Sequence, residues 1–142
     1  MAQRDLFPLN IRFGSIMIRV YTPVVCDLFH VGHLNMFRQA RELGDYLIVG
    51  IHSDADAESY KRTPIFKEND RYELIRNCRL VDEVIEAAPL KVTEELLDKY
   101  KIDVVVHGDD AEQAQYFQVA IDRGIMKYVK YTHGISSTTI PY

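Results

Sequence analysis

Short apolar runs alternate with helical patterns along most of this chain. Residues 16–25 form a run rich in β-branched side chains, which is typical of a buried strand. Further strands are predicted over 46–52, 81–86, 102–107 and 126–131. Apolar positions at three- and four-residue spacing predict helices over 33–43, 68–78, 93–100 and 111–123. The polar segment 53–67 contains Pro64 and is predicted to be a loop with a short turn.

Local end signals agree with this alternation. Gly44 and Gly124 follow two of the predicted helices as stop signals, and Thr93 is a predicted N-cap with Glu94 and Glu95 in the first turn. Strands that alternate with helices predict right-handed crossovers and a parallel sheet with helices on both faces. We therefore expect one α/β domain over 16–142, a Rossmann-like doubly wound sheet of about five strands. Residues 1–15 are predicted to form an N-terminal arm.

Composition excludes several classes of protein. The 142 residues are 47% hydrophobic and 27% charged, which is globular rather than disordered. Seventeen basic and 21 acidic side chains give a net charge of −4, which argues against a nucleic-acid partner. We find neither a membrane-spanning apolar run nor a secretory signal. Cys26 and Cys78 are isolated, so a reduced, cytoplasmic protein is predicted.

Polar residues that can bind a ligand or take part in catalysis follow the predicted strands. All five histidines lie in such segments: His30, His33, His52, His107 and His133. In open parallel sheets, ligands bind beyond the carboxyl ends of the strands. The placement of the histidines therefore indicates a functional site at that edge of the sheet.

The most informative segment is Asp27-Leu-Phe-His-Val-Gly-His33, directly after the first strand. His30 and His33 are three residues apart where a helix begins, so they project to one side, toward an end that attracts anions. Gly32 lets a ligand approach the backbone closely. A phosphate whose charge rises during reaction fits this arrangement. The alternatives are two ordinary surface histidines, or a metal-binding pair completed by Asp27 or His107.

The segment 27–33 resembles the H-x-G-H signature of the nucleotidyltransferase superfamily, and specifically its cytidylyltransferase branch. The resemblance continues over 39–54, 70–73, 81–85, 107–110 and 132–136, and it covers about residues 17–140. The most similar motifs are those of the ethanolamine-phosphate and choline-phosphate cytidylyltransferases, followed by the glycerol-3-phosphate enzymes. Several motifs in one order are more specific than any one of them.

The resemblance implies in-line attack by a phosphate oxygen of the acceptor on the α-phosphorus of CTP, with Mg²⁺ neutralising the triphosphate. It implies that His30 and His33 grip the α-phosphate, and that Lys61 contacts phosphates from a mobile loop. A homodimer is also implied. The implied nucleotide-binding residues lie near the strand ends and in the I-S-T-T-like turn. They are Val24, Val25, Cys26, Asp27, Gly32, Arg71, His107, Gly108, Asp109, Tyr131, Thr132, Ile135, Ser136, Ser137 and Thr138.

Each of these roles has an ordinary structural alternative. Lys61 and Arg71 could be solvated charges, and residues 136–138 could cap a helix. Cys26 abuts the motif, but a buried, inert thiol is the simpler interpretation, because the implied reaction needs no covalent catalysis.

Three positions depart from the family pattern. Val24 stands where the family usually has glycine, and Tyr131 stands where an arginine reaches the phosphates. Leu80 replaces a tryptophan of the choline and ethanolamine enzymes, and the chain has no tryptophan. A cation–π cage for choline is therefore not expected. The family motifs that bind CTP are mostly retained, whereas the positions that contact the acceptor are altered.

We expect a small acceptor with a phosphate or phosphonate: phosphoethanolamine, 2-hydroxyethylphosphonate or glycerol-3-phosphate. Family members continue into a C-terminal helix beyond the point where this chain ends, so we expect a domain of a longer protein, as in some phosphonate pathways. Two alternatives stay open. One is an adenylyltransferase of the same fold, and the other is a nucleotide-binding regulatory module with weakened catalysis.

Overall fold

Five parallel strands form the main sheet of this protein. The computed structural model describes residues 11–12, 15–109 and 114–130. The strands of the sheet are β3 (Arg19–Val24), β4 (Tyr46–Ile51), β5 (Glu83–Glu86), β6 (Val104–Gly108) and β7 (Met126–Val129), in the order β5-β4-β3-β6-β7. Strands β1 (Ile11–Arg12) and β2 (Ser15–Ile16) pair antiparallel as a separate hairpin. The predicted doubly wound α/β fold is confirmed.

The strand order places the switch point beside β3. The chain proceeds from β3 outward through β4 to β5, then returns to the other side of β3 to form β6 and β7. The connection after β3 therefore runs toward β4 and the connection after the adjacent β6 runs toward β7, and these opposite directions open a crevice between the carboxyl ends of β3 and β6. The segment that follows β3 is 25–30, the loop that carries the first histidine.

In the residues that the structure describes, five helices connect and cover the strands. They are α1 (Val31–Arg41), α2 (Asp54–Tyr60), α3 (Glu68–Arg76), α4 (Glu94–Lys99) and α5 (Gln118–Asp122), preceded in the last case by a 3₁₀ turn, Ala114–Phe117. Thr93 caps α4 as predicted, because its hydroxyl accepts from the N–H of Leu96 at 3.1 Å. No helix in the described part of the chain is long and apolar enough to cross a membrane.

Alternate residues of the strands enter two separate apolar layers. Val20 and Val24 of β3 pack with Phe37 of α1 and Ile75 of α3 on one face. On the opposite face Tyr21 packs against a different set of side chains: Ile48, Leu97, Val105 and Phe117. Because every central strand is covered on both faces, its sequence reads as a continuous apolar run.

The structure differs from the predicted elements in several places. The predicted loop 53–67 contains α2, which starts because the Ser53 hydroxyl accepts from the N–H of Asp56 and continues because Ala57 is buried. Residue 16 belongs to the hairpin rather than to the main strand. The helix predicted over 111–123 is, in its described part, a 3₁₀ turn followed by α5, and Gly124 ends it with a φ of +72°.

Replacing Gly50 with alanine is expected to destabilise the fold. The added Cβ would overlap the hydroxyl oxygen of Tyr21 and lie 2.8 Å from the Cβ of Ala88. Tyr21 is fully buried and cannot swing into solvent. Overpacking of this kind costs about 1–3 kcal/mol of unfolding free energy.

Urea unfolding followed by circular dichroism measures this loss. The matched control is the double variant Gly50→Ala/Tyr21→Phe, which removes the closest oxygen and should recover part of the stability. An unchanged denaturation midpoint for Gly50→Ala alone would contradict the packing described for β3 and β4.

Candidate active site

The two histidines of the motif form a pair at the start of α1. Their ring centroids are 4.0 Å apart, with 34° between the planes. The N–H of Gly32 donates to Nδ1 of His30 at 3.0 Å, and the N–H of His30 donates to Nδ1 of His33 at 3.1 Å. The two side chains therefore cap the helix reciprocally, and α1 begins at Val31, two residues before the predicted start.

These caps determine where each ring carries its proton. A nitrogen that accepts a hydrogen bond has no proton, so each neutral ring is protonated at Nε2. Both rings thus present an Nε2–H donor away from the helix backbone. Nε2 of His30 is buried and has no hydrogen-bond partner within the described residues. A buried donor without a partner is costly, and a ligand oxygen would satisfy it.

The surroundings keep both rings neutral. Burial lowers the pKa of His33 to about 3, and the neighbouring His30 and Lys61 add to the effect. Burial also lowers the pKa of His30. Near pH 7 the pair therefore offers neutral hydrogen-bond donors, and permanent positive charge comes from Lys61, which is near enough to act on His33.

The lowered pKa of His33 makes stability depend on pH. In the unfolded chain this histidine takes up a proton near its ordinary pKa of about 6.5, whereas the folded form resists it down to about 3. The unfolded state binds more protons in that window, so stability is fully present above about pH 6.5 and falls as the pH decreases toward 3. Thermal unfolding at a series of pH values should show this slope. His33→Asn should have a shallower one, and equal slopes would contradict the prediction.

The loop before the pair has an unusual backbone. Cys26 and Leu28 adopt φ values of +58° and +50°, which side chains other than glycine rarely do. Asp27 lies between them, and its carboxylate accepts from the N–H groups of Ile65 and Phe66 at 2.8 and 2.9 Å. Asp27 therefore ties the segment that follows Lys61 to the histidine loop.

Arg71 lies beneath this loop rather than in contact with solvent. It is 0% exposed, and its guanidinium donates to the carbonyl oxygens of Val25, His52 and Phe66. Its remaining partner is the carboxylate of Asp54, at 2.7 Å. The nucleotide contact that the resemblance implies for Arg71 stays a prediction. In the structure, the side chain joins the ends of β3 and β4 to the Lys61 segment.

The other predicted residues fall into three groups. Val24, Val25 and Cys26 are buried at the end of β3, and burial raises the pKa of the Cys26 thiol, as suits an inert cysteine. At the end of β6, His107 packs against Phe117 with centroids 5.0 Å apart, and the N–H of Asp109, which follows Gly108, donates to Val129. The predictions that lie outside the described residues are Tyr131, Thr132, Ile135, Ser136, Ser137 and Thr138.

Three further side chains gather at this edge: His52, one of the strand-end histidines noted in the sequence, and two tyrosines for which the sequence predicted no binding role. The ring of His52 meets that of Tyr60 edge-on, with centroids 6.4 Å apart and 86° between planes. Tyr60 in turn lies 6.0 Å from Tyr116. We call His52, Tyr60 and Tyr116 the aromatic cluster. The position of His52 after a strand could be predicted from the sequence. The contact between Tyr60 and Tyr116 could not, because folding brings these two residues together from distant segments.

The described residues contain no group of three histidine, cysteine, aspartate or glutamate side chains placed to hold a metal ion. The histidine pair has its two Nδ1 atoms engaged by backbone N–H groups. The arrangement is therefore suited to donating hydrogen bonds to an anion from Nε2.

Known proteins are similar to this chain over most of its length. The family model described as cytidylyltransferase-like matches residues 25–141. The ethanolamine-phosphate cytidylyltransferase of Dictyostelium discoideum is 42% identical over 127 residues, which are 87% of this chain and 35% of that protein. The choline-phosphate cytidylyltransferase A of Mus musculus is 37% identical over 129 residues, 87% of this chain and 35% of that protein.

This chain therefore spans about a third of the length of these curated relatives. Among solved structures, a lipopolysaccharide core biosynthesis protein from Thermoplasma volcanium GSS1 superposes with a TM-score of 0.69 at 30% identity, covering 82% of this chain and 99% of that one.

Proposed function

We propose that this chain, which belongs to the cytidylyltransferase-like family, transfers the CMP group of CTP to a small phosphate-bearing alcohol. The observation that carries this proposal is the histidine pair at the start of α1, whose Nδ1 atoms accept backbone hydrogen bonds and leave both Nε2–H groups as donors. Such donors stabilise the extra negative charge that collects on the α-phosphate when a fifth oxygen approaches.

The step is an in-line displacement at phosphorus. A phosphate oxygen of the acceptor forms a bond to the α-phosphorus, the bond from that phosphorus to the bridging oxygen breaks, and its electron pair leaves on pyrophosphate. The acceptor phosphate is already ionised, so no general base is required. His30, His33 and Lys61 would hold the α-phosphate and oppose its rising charge, mainly by positioning and electrostatics.

The acceptor is proposed to be of the phosphoethanolamine type. The curated relatives named above act on ethanolamine phosphate or choline phosphate by name. Leu80 and the lack of tryptophan still argue against a choline cage built as in those enzymes. The other acceptors that fit the altered half of the pattern are 2-hydroxyethylphosphonate and glycerol-3-phosphate.

Magnesium and a second copy of the chain belong to the same proposal. Mg²⁺ would accompany the triphosphate, because the described residues bring no three ligands together to hold it alone. Ser136 to Thr138 would hold the β- and γ-phosphates, and Lys130 or Arg62 would supply the positive charge that Tyr131 lacks.

A panel assay tests the proposal. The protein is incubated with CTP, Mg²⁺ and each candidate acceptor, and pyrophosphate is measured; release that depends on both CTP and the acceptor is the expected result. Release with ATP rather than CTP would identify an adenylyltransferase. CTP binding by calorimetry, with no pyrophosphate from any acceptor, would identify a nucleotide-binding module.

A further inference from the structure

One side chain of α1 holds the residue that directly follows β7. The carboxamide of Gln39 forms two hydrogen bonds with the backbone of Lys130. Its Oε1 accepts from the N–H of Lys130 at 3.0 Å, and its Nε2 donates to the carbonyl oxygen of the same residue at 2.7 Å. Because β7 is the outermost strand of the described sheet, these are backbone groups that no neighbouring strand of that sheet pairs. One amide therefore joins two positions that are 91 residues apart in the chain.

The residue before Lys130 is also fixed. The N–H of Asp109, at the end of β6, donates to the carbonyl oxygen of Val129 at 2.8 Å. Val129 itself is buried in the same apolar layer as Met36 of α1. The backbone is thus held at two successive residues, from β6 and from α1. The chain continues from this point into 131–138, which includes the turn proposed to hold the β- and γ-phosphates of CTP.

Helix α1 is the element that these contacts share with the histidine pair. Gln39 lies six residues further along α1 than His33, which is a rise of about 9 Å. One helix therefore connects the groups proposed to hold the α-phosphate with the residue from which the segment 131–138 starts. Gln39 is half-buried and Lys130 is exposed, so water can replace both hydrogen bonds, and their net contribution to stability is small. Their main consequence is the location of the backbone at Lys130.

We propose that Gln39 is a positioning residue for the triphosphate of CTP and acts through the backbone of Lys130. This inference rests on the proposed function and deepens it. A segment that starts from a fixed point loses less conformational freedom when it closes on a ligand, so the ligand binds more tightly. The effect should be confined to the β- and γ-phosphates, because the α-phosphate is assigned to the histidines at the other end of α1.

The experiment compares the binding of CTP and CMP by calorimetry with Mg²⁺ present. Gln39→Met keeps the length and the apolar stem of the side chain but has neither the donor nor the amide oxygen. The variant should raise the Kd of CTP by about 5- to 30-fold and change the Kd of CMP less than about twofold. In the pyrophosphate assay, KM for CTP should rise more than kcat falls, because the histidine pair is intact.

Gln118→Met is the matched control, because Gln118 is an exposed glutamine whose amide donates to Asp122 of its own helix at 2.8 Å. It should change the affinity for neither nucleotide. An unchanged affinity for CTP in Gln39→Met, or a loss for CMP as large as the loss for CTP, overturns the positioning role while the proposed function stands. If the wild-type protein binds neither nucleotide and yields no pyrophosphate, the proposed function fails and the positioning role fails with it.

Discussion

His33→Ala is expected to lower the turnover number by at least about 100-fold. The substitution removes an Nε2–H donor that acts on charge present in the transition state but not in the ground state, so kcat should fall more than the affinity for CTP. Steady-state kinetics with CTP and phosphoethanolamine measure the effect. Turnover equal to that of the wild-type protein would remove His33 from the mechanism.

Alanine at position 33 removes the cap of α1 as well as the Nε2–H donor. Two amide variants separate these two roles of His33. In His33→Asn the amide oxygen would lie near the position of Nδ1 and so keep the hydrogen bond from the N–H of His30, but no atom would occupy the position of Nε2. His33→Asn should therefore fold with nearly wild-type stability and lack activity. His33→Gln reaches the Nε2 position and should retain more turnover with a weaker cap. The reverse order of activities would show that the cap, rather than the donor, is what catalysis needs.

Arg71→Met is expected to cost about 3–5 kcal/mol of unfolding free energy. The carbonyl oxygens of Val25 and His52 would lose their buried donor, and Asp54 would lose its ion-pair partner. A loss of this size is a large share of the total stability of an ordinary domain. Because the same contacts fix the histidine loop and the Lys61 segment, activity should fall as well. Urea unfolding and the pyrophosphate assay measure the two effects.

Arg76→Met is the matched control. Arg76 is on the same helix and pairs with Glu73 and Glu86, but those pairs are exposed and should contribute less than about 1 kcal/mol. Equal midpoint shifts for the two variants would contradict the buried role of Arg71. If Arg71→Met kept its stability and lost only CTP binding, the result would support the direct nucleotide contact that the resemblance implies.

Most of the architecture was predictable because each element carries its own local signal. The strand segments are apolar on both faces. The helix that starts at Glu94 is predicted by the N-cap Thr93 and two acids in its first turn. Helix α2 was missed for a local reason: it is short and polar, and a proline follows it. Its start depends on Ser53, and its persistence depends on Ala57 being buried by the rest of the fold.

The features of the site also divide into those that local sequence predicts and those that depend on the tertiary structure. Sequence alone determined the fold class, the crevice at the end of β3 and the spacing that brings His30 and His33 together, because these depend on periodicity and on contacts within one turn of helix. Only the tertiary structure decided that Arg71 is a buried clamp and that His52, Tyr60 and Tyr116 share one edge of the sheet. Those relations join segments far apart in the chain. The sequence around a residue carries no periodic signal of the residue that it contacts across the fold.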